Sequence, residues 1–225
     1  MNKTNLPDIK YLFHPESIAV IGASSNKGKI GYMVYSNIIN GGYKGRVYPI
    51  NPKGEKIFGT TSYTNITQVE GNIDLVVIVI PAKLVFEAVR DCAKKHVKFL
   101  SIITSGFSEV GNLEEERQIV EFAKSNGMRI LGPNIFGTYS SSCSLNATFG
   151  PGNVMKGGVS IITQSGALGI AMIGKTKAER IGLSSIISLG NKSDIDEADL
   201  LEYLAKHDET RSEERRVGKE CRSRW

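Results

Sequence analysis

Residues 17–31, SIAVIGASSNKGKIG, decide the fold. The run at 17–23 is largely apolar and β-branched, as a strand buried on both faces requires, and it leads into a turn at Gly22. After the small polar residues come Gly28, Lys29 and Gly31, and then a helix-length segment from about residue 29 to residue 40. A glycine-rich turn between a strand and a helix presents unpaired N–H groups and the positive end of the helix dipole to the same point, which makes it an anion cradle. Gly22, Ala23, Ser24, Ser25, Gly28 and Lys29 are the candidate residues of that cradle. Working outward, RVYPI (46–50), IDLVVIVI (73–80), VKFLSIIT (97–104) and MRILGP (128–133) repeat the apolar pattern. Segments at 83–95 and 112–127 fall between them, and the latter spaces Leu113, Ile119, Val120 and Phe122 among charges before stopping at Gly127. This alternation means right-handed βαβ units in an α/β, Rossmann-like doubly wound parallel sheet over 1–137, with ligand contacts at the carboxyl ends of the strands.

The nucleotide is read from the departures. A dinucleotide fingerprint wants glycines at 22, 24 and 27, whereas the chain has Gly22, Ser24 and Lys27. A nicotinamide site also wants a carboxylate at the end of the second strand. That stretch is Asn51-Pro52-Lys53, with no acid before Glu55. A lysine suits an additional phosphate better than free ribose hydroxyls, and coenzyme A, with its pyrophosphate and 3′-phosphate, answers both departures. The other strand ends add Ile80, Pro81 and Ala82, then Thr104, Ser105 and Gly106, then Asn134 after Leu131-Gly132-Pro133. Each alone is ordinary loop punctuation, but at successive strand ends they form one edge.

Composition narrows the class. The chain has 225 residues with 28 Lys+Arg against 23 Asp+Glu, a formal charge of +5. Residues 211–225, RSEERRVGKECRSRW, carry six of the basic residues and three of the acidic ones. Most of the positive excess therefore lies in a tail without hydrophobic period, which argues against a nucleic-acid partner. This tail resembles the in-frame translation of a common short-read sequencing adapter, so it is expected to stand outside the fold, with the natural chain departing near Thr210. Cys92, Cys143 and Cys221 do not make a disulfide framework or a metal site, and no apolar run is long enough for a membrane span. A cytoplasmic address, no membrane and no metal are expected.

A second α/β unit, of flavodoxin type, is expected from residue 157, after a linker at 138–156. GGVSIITQ (157–164) and LSSIISLG (183–190) read as strands, SGALG opens one helix, and DEADLLEYLAK (196–206) forms another. Two strands and two helices are too few to close such a sheet, so partial unfolding is expected. The turn Gln164-Ser165-Gly166 repeats the anion-at-helix-start arrangement, with Ser165 serving also as N-cap. Ser165 does not read as a hydrolase nucleophile, because QSGAL lacks the G-x-S-x-G frame. Asp194, Asp196 and Glu197 read as partners of the following helix's dipole.

The set VIGAS…GKIG, VYPINPK, IPA, SGF, LGPN, LNATF (145–149), SIITQSGALG (160–169) and SLGNKSDIDEADLLEYL (188–204), in that order, resembles the α subunit or N-terminal half of ADP-forming acyl-CoA synthetases, relatives of succinyl-CoA synthetase. One departure is Ile135-Phe136, where the family commonly has Cys-Leu. The resemblance implies a CoA-binding domain followed by a truncated flavodoxin-like domain. It implies the reaction acyl-CoA + ADP + phosphate ⇌ carboxylic acid + CoA + ATP, run through an acyl phosphate and a phosphohistidine. It further implies that Gln164, Ser165 and Gly166 hold the phosphoryl group, and that ADP/ATP and magnesium are bound by an ATP-grasp β subunit or fused half, in a hetero- or homo-oligomer. The histidine is expected beyond Thr210. His14, His96 and His207 lie outside the family's S-H-T-G-like motif, so residues 1–225 alone are expected to bind CoA without turnover. Two alternatives share these residues: the synthetase-like regulatory region of a protein lysine acetyltransferase, and a non-enzymatic CoA-binding module.

Overall fold

The computed structural model describes residues 6–216. Its elements are α1 (Lys10–Phe13), β1 (Ser17–Ile21), α2 (Ile30–Asn40), β2 (Arg46–Ile50), β3 (Lys56–Ile57), β4 (Thr60–Thr61), β5 (Leu75–Ile78), α3 (Val85–Lys94), β6 (Phe99–Ile102), α4 (Leu113–Ser125), β7 (Arg129–Leu131), β8 (Gly137–Ser140), β9 (Leu145–Thr148), β10 (Lys156–Thr163), α5 (Gly166–Ala178), β11 (Leu183–Ser188), α6 (Glu197–Leu204) and β12 (Ser212–Arg216).

The first sheet has the order β2-β1-β5-β6-β7, and every pair in it is parallel. The apolar runs bury both faces, which is why they do not alternate with polar residues. Ala19, Ile21, Val76 and Ile78 pack with Val85 and Val89 of α3 and with Ile119 and Val120 of α4. On the other face Ile18, Val20, Leu75 and Val77 pack with Val34 and Ile38 of α2. The order reverses at β1, between β2 and β5, and this switch point is where an open α/β sheet leaves a crevice.

The second sheet differs from the sequence reading. It has five strands in the order β12-β10-β11-β8-β9, with β10 parallel to β11 and β12. The hairpin β8–β9, most of which falls within the expected linker at 138–156, lies antiparallel against the free edge of β11. Ile162 and Ile187 join the cluster that holds Val34 and Val20, while Ile161 and Ile186 pack with Phe136 and with Ile173 of α5. The tail expected to stand outside the fold also contributes: Ser212–Arg216 runs along the other edge of β10 as β12. An exposed strand edge is a row of unpaired backbone groups, and the chain leaving Thr210 satisfies it. Residues 217–225, including Cys221, lie outside the described residues.

Candidate functional site

The cradle is built by backbone proximity that only glycine permits. Gly22 has φ +94, and a Cβ there would sit 2.3 Å from the Val79 carbonyl oxygen. At Gly31, in the first turn of α2, a Cβ would lie 1.9 Å from the Gly22 carbonyl oxygen. The two glycines thus let the start of α2 rest directly on the end of β1. No side chain caps α2 at Lys29, so its first turn is left for an anion or water. Between these anchors the Ser24 hydroxyl accepts the Asn26 N–H (3.1 Å), and the Asn26 side chain accepts the Gly28 N–H (2.9 Å). Ser25, Lys27, Gly28 and Lys29 are exposed, and neither lysine has an ion-pair partner among the described residues.

The other predicted residues form a continuous rim around it. The Gly22 N–H donates to the Ile50 carbonyl at the end of β2 (3.0 Å). Asn51 donates through Nδ2 to the Ala23 carbonyl (2.8 Å) and to Glu55 (3.1 Å), and its Oδ1 accepts the Lys53 N–H (2.9 Å). With its amide so engaged, Asn51 holds the turn in shape, leaving the exposed Pro52 and Lys53 facing solvent beside the cradle. Next along the rim, Ile80 reaches the Gly22 position, and Thr104 Oγ1 donates to the Ile80 carbonyl (2.7 Å). Pro81 is exposed and starts the 3-10 turn Ala82–Leu84. Gly106, at φ +113, brings its loop to Ala82, whose Cβ would be 3.1 Å from a Cβ at Gly106; Ser105 beside it is exposed. Asn134, at φ +62, closes the series by donating its N–H to the Thr104 carbonyl (3.0 Å). Gly22, Ala23, Asn51, Ile80, Ala82, Thr104, Gly106 and Asn134 are thus joined by direct contacts at this edge, and the other predicted positions adjoin them in sequence.

The second predicted anion site opens α5. Ser165 is its N-cap, accepting the Leu168 N–H at 3.2 Å, and its own N–H donates to the Thr163 hydroxyl (3.1 Å). Phe136 packs closely on Gly166 and Gly169: a Cβ at the first would lie 3.2 Å from the phenylalanine Cβ, and one at the second 2.6 Å from its Cε1. Phe136 stands two residues after Asn134, so the turn holding Gln164, Ser165 and Gly166 leans on the loop that ends this rim. This gives the Phe136 departure a physical role.

Sequence reasoning missed a polar hub beside this rim. Glu109 accepts the N–H groups of Gly106 and Phe107, and Glu116, buried, accepts that of Ser108 (3.1 Å). Asn191 of the second unit donates its amide to both carboxylates, at 2.6 Å to Glu109 and 2.7 Å to Glu116. Burial pushes the Glu109 carboxyl up, but the Gly106 N–H, the Asn191 amide and the other donors outweigh it and hold the group below the usual carboxylate range. Of the three acidic residues read as dipole partners of α6, Asp196 and Glu197 stand at the helix start and Asp194 does not. Asp196 is the N-cap (3.1 Å to the Asp199 N–H), and Glu197 pairs with Lys192 (3.1 Å). Asp194 does not serve the helix dipole; it crosses to the first unit and binds Arg129 Nε (3.0 Å), Lys124 Nζ (2.9 Å) and the Ile130 N–H (2.8 Å).

The three histidines are remote from the cradle. His14 and His96 precede β1 and β6, at the amino ends of the strands, and the His207 ring lies 5.7 Å from that of His14. A cleft of about 1070 Å³, lined by Lys10, His14, Arg129, Asp199, Tyr203 and His207 among others, opens at this same end, opposite the rim. No helix of the described residues is long and apolar enough to cross a membrane.

A CoA binding domain family matches residues 16–139, and a succinyl-CoA ligase like flavodoxin domain family matches 156–212. Over 210 residues the chain is 48% identical to the protein named acetate–CoA ligase [ADP-forming] I subunit alpha of Pyrococcus furiosus, covering 91% of this chain and 46% of that one. It is 47% identical over 204 residues to acetate–CoA ligase [ADP-forming] of Methanocaldococcus jannaschii, covering 91% and 29%. Among solved structures, dinucleotide forming acetyl-coenzyme A synthetase 1 of Ca. Korarchaeum cryptofilum, in complex with phosphate and ADP, superposes with a TM-score of 0.91 at 46% identity, covering 94% of this chain and 46% of that one. The chain thus spans less than half the length of these relatives.

Proposed function

The chain belongs to the CoA binding domain family and is homologous to α subunits of ADP-forming acetate–CoA ligases, and from that premise we propose that it is the CoA-binding part of an ADP-forming acid–thiol ligase. The observation that supports this most directly is the cradle closed by Gly22 and Gly31, with no side-chain cap on the helix start and three lysines around it, Lys27, Lys29 and Lys53, that have no ion-pair partner among the described residues. Such a cradle fits a pyrophosphate, and Lys53 at the end of β2 fits the additional phosphate that distinguishes CoA from a nicotinamide dinucleotide. Gly22 to Ser25, Gly28 and Lys29 would hold the pyrophosphate. Asn51 would shape the turn that presents Pro52 and Lys53. The backbones at 80–82, 104–106 and 134 would flank the rest of the molecule.

In the whole ligase we propose the reaction acyl-CoA + ADP + phosphate ⇌ carboxylic acid + CoA + ATP. The turn Gln164-Ser165-Gly166 would neutralise a phosphoryl group through the α5 start. ADP, ATP and magnesium would sit on an ATP-grasp partner or fused half. His14, His96 and His207 are not proposed as the phosphoryl relay.

Calorimetric titration of the 225-residue chain with CoA and with dephospho-CoA tests the reading. Wild type is expected to bind CoA more tightly. Lys53→Ala is expected to weaken CoA by about tenfold, the lower end for one charge-assisted phosphate contact, while leaving dephospho-CoA unchanged. No binding of either ligand by the wild type would overturn the proposal, and equal loss for both ligands would remove Lys53 from the 3′-phosphate.

A further inference from the structure

We propose that Asn191 is a positioning residue through which the second unit sets the shape of the loop 105–108, on the CoA-facing rim of the first. The proposal rests on the reading of that rim as the CoA site. Three successive backbone N–H groups of the loop, those of Gly106, Phe107 and Ser108, point at two carboxylates, Glu109 and Glu116. Both carboxylates are acceptors only, and each lies within 2.7 Å of the same Asn191 nitrogen. The two negative groups are therefore held close together by one amide that spends a hydrogen on each. Without it they would repel and release the loop. Asn191 in turn is fixed by its own backbone, whose N–H donates to the Pro133 carbonyl (2.9 Å), and by its Oδ1, which accepts from Asn134 (3.2 Å). Gly190 before it has no room for a side chain, since a Cβ would lie 2.1 Å from the Pro133 oxygen. The loop that opens the approach to α6 is thus locked to the LGPN turn on one side and to the SGF loop on the other. Any shift of the second unit at Asn191 is passed to the backbone at Gly106.

The titratable and charged groups at the hub are Glu109 and Glu116 on the first unit and Lys192 on the second, the last already paired with Glu197. Repulsion in the absence of Asn191 is consequently greatest where both glutamates are ionised. Hydrogen exchange of the amides of 106–108 in the full chain reads the proposal. Asn191→Ala is expected to speed their exchange at pH 7 by about tenfold, the loss of one hydrogen bond to a charged group, with the amides of β1 and β5 unchanged. CoA affinity is expected to fall by about threefold or more. Adding Glu116→Gln should restore protection, because the neutral glutamine still offers an oxygen to the Ser108 N–H and removes the repulsion on Glu109, which a general packing defect would not reproduce. If Asn191→Ala fails to fold, Asn191→Ser with the same Glu116→Gln partner provides the comparison. Unchanged exchange at 106–108, or a loss that Glu116→Gln does not repair, would overturn the proposal. A wild type that fails to bind CoA while the exchange effects hold would overturn the CoA reading and leave the positioning role standing.

Discussion

Asp194→Ala tests how the two units are joined. The Asp194 side chain is 2% exposed and accepts from Arg129, Lys124 and the Ile130 N–H at 3.0, 2.9 and 2.8 Å. Removing it strands three donors unequally. Lys124 is 41% exposed and returns to water at little cost. Arg129 is only 11% exposed but keeps Asp199 at 2.8 Å. The Ile130 N–H, at the buried β7 edge, loses a charged acceptor worth about 1.5–3 kcal/mol. Adding the partly uncompensated guanidinium brings the expected loss to about 3 kcal/mol, the lower end for breaking a buried pair. For a chain of this size that lowers the melting temperature by roughly 6–12 °C. Asp194→Asn keeps an acceptor for Ile130 and should lose about half as much. Asp199→Ala, whose carboxylate is 31% exposed, should lose about 1 kcal/mol or less. Urea titrations at pH 7 measure all three. A loss below about 1 kcal/mol for Asp194→Ala, or equal losses for Asp194→Ala and Asp199→Ala, would refute the reasoning, which depends on burial and on the orphaned Ile130 donor.

Two further outcomes follow from the geometry. Gly31→Ala gains about 1 kcal/mol of helix propensity but drives a Cβ into the Gly22 carbonyl, so a net loss of about 1–3 kcal/mol and loss of CoA binding are expected by thermal melting and titration; a variant as stable as wild type would contradict the tight approach of α2. Burial first, and then the neighbouring His207, hold the His14 imidazole below its ordinary 6.5 against the pull of Glu209. A histidine depressed in the fold favours its neutral form, so its contribution is complete above pH 6.5 and is lost as the pH falls through that value toward the folded one. Between pH 7.5 and 5.5 the wild type should lose more urea resistance than His14→Gln, and parallel slopes would refute this.

The first sheet was legible because strands covered on both faces are apolar almost throughout, as in 18–21 and 75–78. The spacing of Gly22 and Gly31 was legible for a related reason, since a cradle needs close backbone approach at fixed points along one short segment. The hairpin was not. Its buried strands read GTYS and LNAT, with Thr138, Ser140, Asn146 and Thr148 all essentially inaccessible, and polar residues of this kind read as a linker. The role of Asn191 was invisible for another reason: its acceptors lie 75 and 82 positions away, so no local pattern announces them. The motif SLGNKSD nonetheless contained the residue. Asp194 was misread because proximity in sequence to α6 suggested the helix dipole, while its partners belong to β7 and the end of α4.

The hairpin also changes how the chain can be divided. Asn37 of α2 donates to the Thr148 and Gly150 carbonyls at 2.8 and 2.9 Å, and Leu145 and Ala147 share a cluster with Val34 and Ile38. A strand hydrogen-bonded into the second sheet thus serves as flooring for a helix of the first. Cutting the gene at residue 137 would strip α2 of that floor and bare the very helix whose start forms the cradle. Shuffling one half of this protein with the matching half of a relative would succeed only if residues 137–150 travelled with the first half, or if Asn37 and its apolar neighbours were exchanged along with the second.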